Sequence, residues 1–125
     1  MRLAIIGSRS WTNGHLAYVI LDAVARNIPV ELVVSGGAKG ADSIGENWAD
    51  DRGIPTRIFR PDWDQYGKRA GMMRNTDIIE NADTVVAFWD GSSRGTRNSL
   101  NKAIGKLRIV IEPTRNRVLN PGEKI

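Results

Sequence analysis

The stretch with the clearest chemical character is glycine-rich and reads Ser35-Gly36-Gly37-Ala38-Lys39-Gly40-Ala41-Asp42. It follows an apolar run at 30–34 and precedes a segment whose apolar residues have helical spacing. Glycines allow close approach of a ligand to the backbone, and the first turn of a helix offers unpaired N–H groups. Lys39 would add a mobile positive charge. The stretch therefore predicts an anion site, with an ordinary tight turn as the alternative; its spacing matches neither G-x-G-x-x-G nor G-x-x-x-x-G-K-[ST].

A second stretch, Ser92-Ser93-Arg94-Gly95-Thr96, has similar chemistry. Its hydroxyl groups and backbone N–H groups open a predicted helix, which indicates a second phosphate cradle. The alternative is a helix start that is capped by Ser93.

The segments that must position these stretches alternate between strand and helix. Apolar runs predict five strands, at 3–6, 30–34, 56–59, 84–89 and 108–111, and helical spacing predicts the segments between them. This alternation predicts a three-layer α/β/α sandwich around a mostly parallel sheet of about five strands, built as a single domain from residues 1–125. The run at 56–59 is expected nearer an edge because polar residues interrupt it. Residues 113–125 are expected to form a loosely packed tail or a short extra strand at Val118-Leu119.

Basic and aromatic residues gather in the loops that follow the predicted strands. In a parallel sheet these loops share one edge, where ligands bind. Together with the helix starts after them, they hold seven of the 18 basic residues, namely Arg9, Lys39, Lys68, Arg69, Arg74, Arg94 and Arg97. Three of the four tryptophans, Trp11, Trp63 and Trp89, lie there too. The arrangement predicts an anionic ligand with an aromatic base, although each tryptophan could instead pack beneath a loop.

Four carboxylates, Asp42, Asp62, Asp64 and Asp90, lie near the same edge. Asp42 could cap its helix, and Asp62 or Asp90 could accept hydrogen bonds from ribose hydroxyls. Asp42 and Asp90 are also the candidate catalytic residues. Their spacing specifies no metal, and we expect neither a metal nor a cofactor. With a single histidine, His15, and no cysteine, a serine or cysteine triad is not expected, and His15 is expected at the surface.

Composition sets the broad class of partner. The net charge of +4 favours anionic partners without choosing among nucleotides, nucleic acid and membrane surfaces. The absence of cysteine fits a reducing compartment. No apolar run has the length of a membrane span, and the N-terminus enters a strand directly without a signal peptide. We therefore expect a soluble, cytoplasmic protein with no membrane partner.

Six blocks in order resemble the YspA-like branch of the SLOG superfamily, the Rossmann-like group that joins the Smf/DprA DNA-processing proteins to the LOG phosphoribohydrolases. They are Gly7-Ser8-Arg9 with Trp11, the stretch 35–42, Pro61-Asp62-Trp63, Ala70-Gly71 to Arg74-Asn75, Ala87-Phe88-Trp89-Asp90-Gly91, and Ser93-Arg94-Gly95-Thr96. The resemblance extends to about Ile111. It implies a Rossmann-like fold and a nucleotide or nucleotide-derived ligand in the crevice that these blocks line.

The ligand-binding residues expected on this basis come from all the loops at that edge. They are Gly7, Ser8, Arg9, Trp11, Ser35, Gly36, Gly37, Lys39, Gly40, Asp42, Arg74, Asn75, Ser93, Arg94, Gly95 and Thr96. LOG enzymes carry P-G-G-x-G-T-x-x-E, whose glutamate serves catalysis at the ribose. Aligning Gly95-Thr96 with this motif puts Ser99 at the glutamate position. The carboxylate that would stabilise a ribosyl cation or activate water is thus missing there.

Three functions follow, in this order. The first is a binding module that senses or sequesters a small phosphorylated nucleoside, for example an ADP-ribose-like signal. The second is an enzyme that cleaves the N-glycosidic bond of a nucleoside monophosphate. The third is binding of single-stranded nucleic acid, which ranks last because the positive charge gathers in one crevice. The resemblance also suggests a homo-oligomer, a dimer or larger, although no stretch identifies an interface.

Overall fold

The computed structural model describes all 125 residues and contains six strands and five α-helices. The strands are β1 Arg2–Gly7, β2 Leu32–Ser35, β3 Thr56–Ile58, β4 Thr84–Phe88, β5 Leu107–Ile111 and β6 Asn116–Leu119. The helices are α1 Gly14–Asn27, α2 Ala41–Asp51, α3 Trp63–Tyr66, α4 Ala70–Glu80 and α5 Arg94–Lys102, with a 3₁₀ helix at Gly67–Arg69. None of the helices combines the length and the apolar character needed to cross a bilayer.

All six strands form one sheet in the order β3-β2-β1-β4-β5-β6. The first five are parallel, and β6 pairs antiparallel with β5. The prediction of an α/β fold around a mostly parallel sheet is confirmed. The central strands β1 and β4 are buried on both faces, which explains their unbroken apolar sequence. The more polar β3 lies at an edge, as predicted.

Alternate residues of the central strands face two separate cores, which gives the three layers. Leu3 and Ile5 belong to one core, together with Trp48 of α2 and apolar residues of α1. Ala4 and Ile6 belong to the other, together with Leu100 of α5 and apolar residues of α4. The strand ends between these helical layers form the edge at which the predicted site residues lie.

Side-chain caps define the starts of two helices. The Asn13 side chain accepts a hydrogen bond from Leu16 N at 3.0 Å and caps α1. The Asp62 side chain accepts from Gln65 N at 3.1 Å and caps α3, which lies with the 3₁₀ helix in the connection between β3 and α4.

The C-terminal tail is bound to the sheet, which corrects the expectation of loose packing. Residues 116–119 form β6, the extra strand that the sequence allowed. Arg108 explains the attachment, since its side chain is fully buried and buried charges need hydrogen-bond partners. Its guanidinium donates to the carbonyls of Lys106 at 3.1 Å, Asn120 at 3.2 Å and Glu123. Two of these three carbonyls come from the tail.

Arg108→Ala is expected to lower the free energy of unfolding by about 3 kcal/mol, because the carbonyls that Arg108 binds would lose a charged donor and a cavity would remain. Urea denaturation monitored by tryptophan fluorescence measures the change. Arg115→Ala removes an exposed guanidinium from the same end of the chain and should have a much smaller effect. Equal losses in the two variants would contradict this account of the tail.

Candidate functional site

Three adjoining cavities form one crevice at the carboxyl ends of the parallel strands, and Arg9 and Arg74 line all three. The main cavity, about 410 Å³, is lined by Ile6, Gly7, Ser8, Arg9, Ser10, Ala38, Asp42, Arg74, Asn75, Ile78, Asp90, Ser93, Gly95, Thr96 and Ser99. The Pro61 cavity, about 320 Å³, adds Gly36, Gly37, Arg60, Pro61 and Trp63. The Met72 cavity, about 390 Å³, adds Lys68, Gly71, Met72, Arg94 and Asn98.

The structure brings most of the predicted ligand-binding residues to this crevice. The main cavity holds Gly7, Ser8, Arg9, Asp42, Arg74, Asn75, Ser93, Gly95 and Thr96, together with Asp90. Gly36 and Gly37 line the Pro61 cavity, and Arg94 lines the Met72 cavity. Trp11, Ser35, Lys39 and Gly40 line none of the three.

Trp11 and Ser35 are excluded from the crevice because their side chains have partners inside the protein. Trp11 is 8% exposed and packs against Phe88 with ring centroids 5.5 Å apart. Its indole Nε1 donates to the carbonyl of Asn13 at 3.2 Å. Ser35 is fully buried, and its hydroxyl donates to Glu46 at 2.6 Å. Both side chains therefore stabilise the fold through contacts inside the protein.

Gly40 and Lys39 lie on the outer side of the glycine-rich stretch. Gly40 has φ +75°, and a Cβ there would lie 2.5 Å from the Ser8 carbonyl oxygen and 2.4 Å from that of Arg9. Glycine is therefore needed for the start of α2 to pack against the loop after β1. The Lys39 side chain is exposed and lies outside the cavities.

Ser8 connects the loops that surround the main cavity. Its N–H donates to Phe88 O at 2.9 Å, and its carbonyl accepts from the N–H groups of Trp11 and Ala41, each at 3.2 Å. Its hydroxyl accepts from the N–H of Asp90 at 2.9 Å. Ser8 is 1% exposed, so its polar groups position neighbouring backbone.

Arg74 is a partly buried cation at the junction of the cavities. Its guanidinium donates to Gly36 O at 2.7 Å and to the Asn75 side chain at 3.1 Å. No carboxylate lies within 4.0 Å of it. Burial lowers the pKa of Arg74, the charge of Asp42 acts in the opposite direction, and Arg9 adds to the lowering. The guanidinium therefore has room for an external anion.

Asp42 lies in the first turn of α2 but does not cap it. Its Oδ2 accepts from the N–H of Ala38 at 3.2 Å, in the loop before the helix. The residue is 8% exposed, and burial raises the pKa of its carboxyl to about 6. The Ala38 N–H and the charge of Arg74 oppose this rise. Asp42 thus lines the main cavity with a carboxyl that titrates near neutral pH.

The Asp90 side chain occupies two of the N–H groups that were predicted to form a second phosphate cradle at 92–96. Its Oδ1 accepts from the N–H groups of Ser92 and Ser93, each at 2.8 Å, so these donors already hold a carboxylate. These two bonds hold the pKa of Asp90 below its usual value. The Ser93 side chain makes no capping bond to α5. Gly95 and Thr96, in the first turn of α5, keep N–H groups without an intrahelical partner.

Besides Trp11, the tryptophans expected at this edge are Trp63 and Trp89, and these two differ in exposure. Trp89 is 2% exposed and its Nε1 donates to Ser93 O at 3.1 Å, so base stacking on Trp89 is wrong. Trp63 is 51% exposed and lines the Pro61 and Met72 cavities, but not the main cavity. Base stacking on Trp63 stays a prediction.

Four of the seven basic residues that were expected at this edge line the crevice, namely Arg9, Lys68, Arg74 and Arg94. Arg97 instead lies over the ring of Trp89, 4.8 Å from its centroid. Sequence reasoning did not include Arg60, although it follows β3 closely and the same rule of strand ends applies to it.

Other residues that line the main cavity were not among the predicted ligand-binding residues. Ile78 and Ser10 carried no signal of their own in the sequence. Ser99, at the position of the LOG glutamate, lines the main cavity, so this position does face the crevice.

His15 is exposed, as expected. No three His, Asp or Glu side chains form a cluster that could hold a metal ion.

Comparisons with known proteins agree with these motifs. The sequence pattern of the YspA, cpYpsA-related SLOG family matches residues 1–66. The Gene 61 protein of Mycobacterium phage D29 is 35% identical over 109 residues, which cover 82% of this chain and 87% of the phage protein. No solved structure matches the chain.

The raised pKa of Asp42 predicts a pH dependence of stability. Between about pH 4 and pH 6 the native protein keeps a proton that the unfolded chain has lost, so the free energy of unfolding falls as the pH rises. Asp42→Asn removes this effect and keeps an acceptor for Ala38 N. Its stability relative to the wild type should increase by on the order of 2 kcal/mol between pH 4 and pH 7.

Urea denaturation of both proteins at the two pH values measures this difference. Asp64→Asn, which removes an exposed carboxylate outside the crevice, is the matched control for the loss of one negative charge. A difference between Asp42→Asn and the wild type that stays constant with pH would contradict the raised pKa.

Proposed function

Because the chain belongs to the YspA, cpYpsA-related SLOG family, we propose that the crevice binds a nucleotide or nucleotide-derived phosphorylated molecule, which the protein senses or sequesters. The observation that carries the proposal is the position of Arg9 and Arg74. Both line all three cavities, and neither has a carboxylate within 4.0 Å. A phosphate group accepts paired hydrogen bonds from guanidinium and would neutralise both charges.

The charge balance of the crevice supports the same ligand class. Five cations line the three cavities, namely Arg9, Arg60, Lys68, Arg74 and Arg94, against two carboxylates, Asp42 and Asp90. The charge of Arg9 lowers the pKa of Arg74, so the two guanidinium groups repel each other. An anion between them would relieve this repulsion. In a partly buried site the gain exceeds that of a surface ion pair.

Backbone donors add to the positive potential. Gly95 and Thr96 line the main cavity at the start of α5, where the helix dipole is positive. Their N–H groups offer hydrogen bonds to a phosphate oxygen. Of the predicted cradle at 92–96, the N–H groups of Ser92 and Ser93 are bonded to Asp90, so the proposal uses those of Gly95 and Thr96.

Arg9→Gln is expected to weaken nucleotide binding by about tenfold or more, because a hydrogen bond to a charged group contributes about 1.5–3 kcal/mol. The measurement combines native mass spectrometry and calorimetry with AMP, GMP, CMP, UMP, ADP, ADP-ribose and a single-stranded oligonucleotide. Lys39→Gln removes the same charge from an exposed position outside the crevice and is the matched control.

Three results of that experiment would count against the proposal. One is that no nucleotide is retained by the wild type. Another is that Lys39→Gln weakens binding as much as Arg9→Gln. The third is tight retention of the oligonucleotide alone, which would favour the nucleic-acid binder.

A second candidate function is hydrolysis of the N-glycosidic bond of a nucleoside monophosphate. It is favoured by Asp42, whose carboxyl lines the main cavity with a pKa of about 6. As carboxylate, Asp42 would accept a proton from water while the water oxygen bonds to C1′. The bond from C1′ to the base nitrogen breaks and the base nitrogen takes up a proton from solvent, while Asp42 releases to solvent the proton that it accepted from water. The products are free base and ribose phosphate.

If this reaction occurs, Asp42→Asn should reduce release of free base by at least about a hundredfold, which is typical for loss of a general base. Chromatography of the incubated nucleotide panel measures the release. Binding of intact nucleotide by the same variant would show that the crevice still forms. Absence of base release by the wild type across the panel would remove this candidate.

A further inference from the structure

We infer that the main cavity holds the sugar of the ligand and that Asp90 accepts hydrogen bonds from its hydroxyl groups, so that ribose is preferred to deoxyribose. The inference rests on the proposed function and adds a sugar specificity to it. The two oxygens of the Asp90 carboxylate differ in how many hydrogen bonds they accept within the protein.

One oxygen of Asp90 is fully used within the protein. Oδ1 accepts from the N–H groups of Ser92 and Ser93 at 2.8 Å and lies 3.3 Å from the Ser92 hydroxyl. The Asp90 N–H in turn donates to the Ser8 hydroxyl at 2.9 Å. The backbone and the side chain of Asp90 are therefore both held, and the direction of the carboxylate is set before any ligand binds.

The other oxygen of Asp90 is nearly unused. It accepts from the Ser10 hydroxyl at 3.4 Å, which is long for a bond of this type, and the nearby Ser8 hydroxyl also helps to lower the pKa of the carboxyl. A carboxylate oxygen can accept two hydrogen bonds. Asp90 lines the main cavity, so Oδ2 is an acceptor available there to a neutral donor.

The remaining lining of the main cavity favours a sugar over a phosphate or a base at this position. Asp42 and Asp90 would repel a phosphate beside them, whereas Arg9, Arg74 and the N–H of Gly95, which lines both the main and the Met72 cavities, would bind one nearer the junction of the cavities. The main cavity has no aromatic residue on which a base could stack, and Trp63 lines only the other two. Four hydroxyl-bearing residues also line it, namely Ser10, Ser93, Thr96 and Ser99. Hydroxyl groups on both sides suit a polyhydroxylated ring that carries a phosphate.

Calorimetric titration with ADP against 2′-deoxy-ADP and 3′-deoxy-ADP, repeated with UDP and 2′-deoxy-UDP, tests the inference. The wild type should bind the ribonucleotide about tenfold more tightly than at least one deoxy form, with the same preference for both bases. Asp90→Asn keeps an acceptor for the Ser92 and Ser93 N–H groups but replaces the free oxygen with an NH₂ group. The ratio should then fall toward one.

The ratio of two ligands on one variant is independent of the fraction of protein that is folded, so a loss of folded protein in Asp90→Asn would not change it. Asp64→Asn removes an exposed carboxylate that lines none of the three cavities, and should leave the ratio unchanged.

The other outcomes separate this inference from the proposed function. Equal affinity of the wild type for ribose and deoxyribose forms overturns the inference and leaves the proposed function in place. No binding of any of these nucleotides overturns both. A preference for ribose that persists in Asp90→Asn overturns the role of Asp90. Loss of discrimination between ADP and UDP alone would assign Asp90 to the base and overturn its role at the sugar.

Discussion

The hydrogen bonds of Ser8 determine the spacing of the loops that form the crevice. A parallel sheet places the loops after its strands at one edge but does not set the distances between them. Ser8 does so because its N–H, carbonyl and hydroxyl reach β4, the start of α2 and the loop after β4. Asp90 then holds the next two N–H groups of that loop. The positions of Arg9 and of the first turn of α5 both depend on this connected set.

The sheet and its functional edge could be predicted because buried parallel strands have continuous apolar sequences. The cations that the same rule placed at that edge include Arg9 and Arg74, which do line all three cavities. The rule locates a residue along the chain but not the direction of its side chain. Trp11 and Trp89 occupy similar places to Trp63, yet a nearby carbonyl accepts from each indole N–H and the ring turns inward.

The turn at Asp90 could be recognised in the sequence, whereas the role of Arg108 could not. Asp90 is followed by Gly91, Ser92 and Ser93, and an aspartate before such residues commonly holds the backbone N–H groups of its own turn. That signal was present in the sequence. The extra strand in the tail was one of two alternatives predicted, but the role of Arg108 in holding the tail was not predictable, because a charged residue at the start of a predicted strand is expected at the surface. Its partners at Asn120 and Glu123 are brought to it only by the antiparallel return of β6.

Hydrogen bonds hold the backbone around the crevice, whereas several cations of the crevice have no ion-pair partner. Arg9, Lys68 and Arg94 line the cavities with exposed side chains and no ion pair. A bound phosphate must immobilise each side chain that it engages, at an entropic cost of about 0.5–1.5 kcal/mol apiece. A ligand with one phosphate orders few of them, and a ligand with more phosphates orders more. If the crevice binds nucleotides as proposed, ligands with different numbers of phosphates would differ in how many of these side chains they must order.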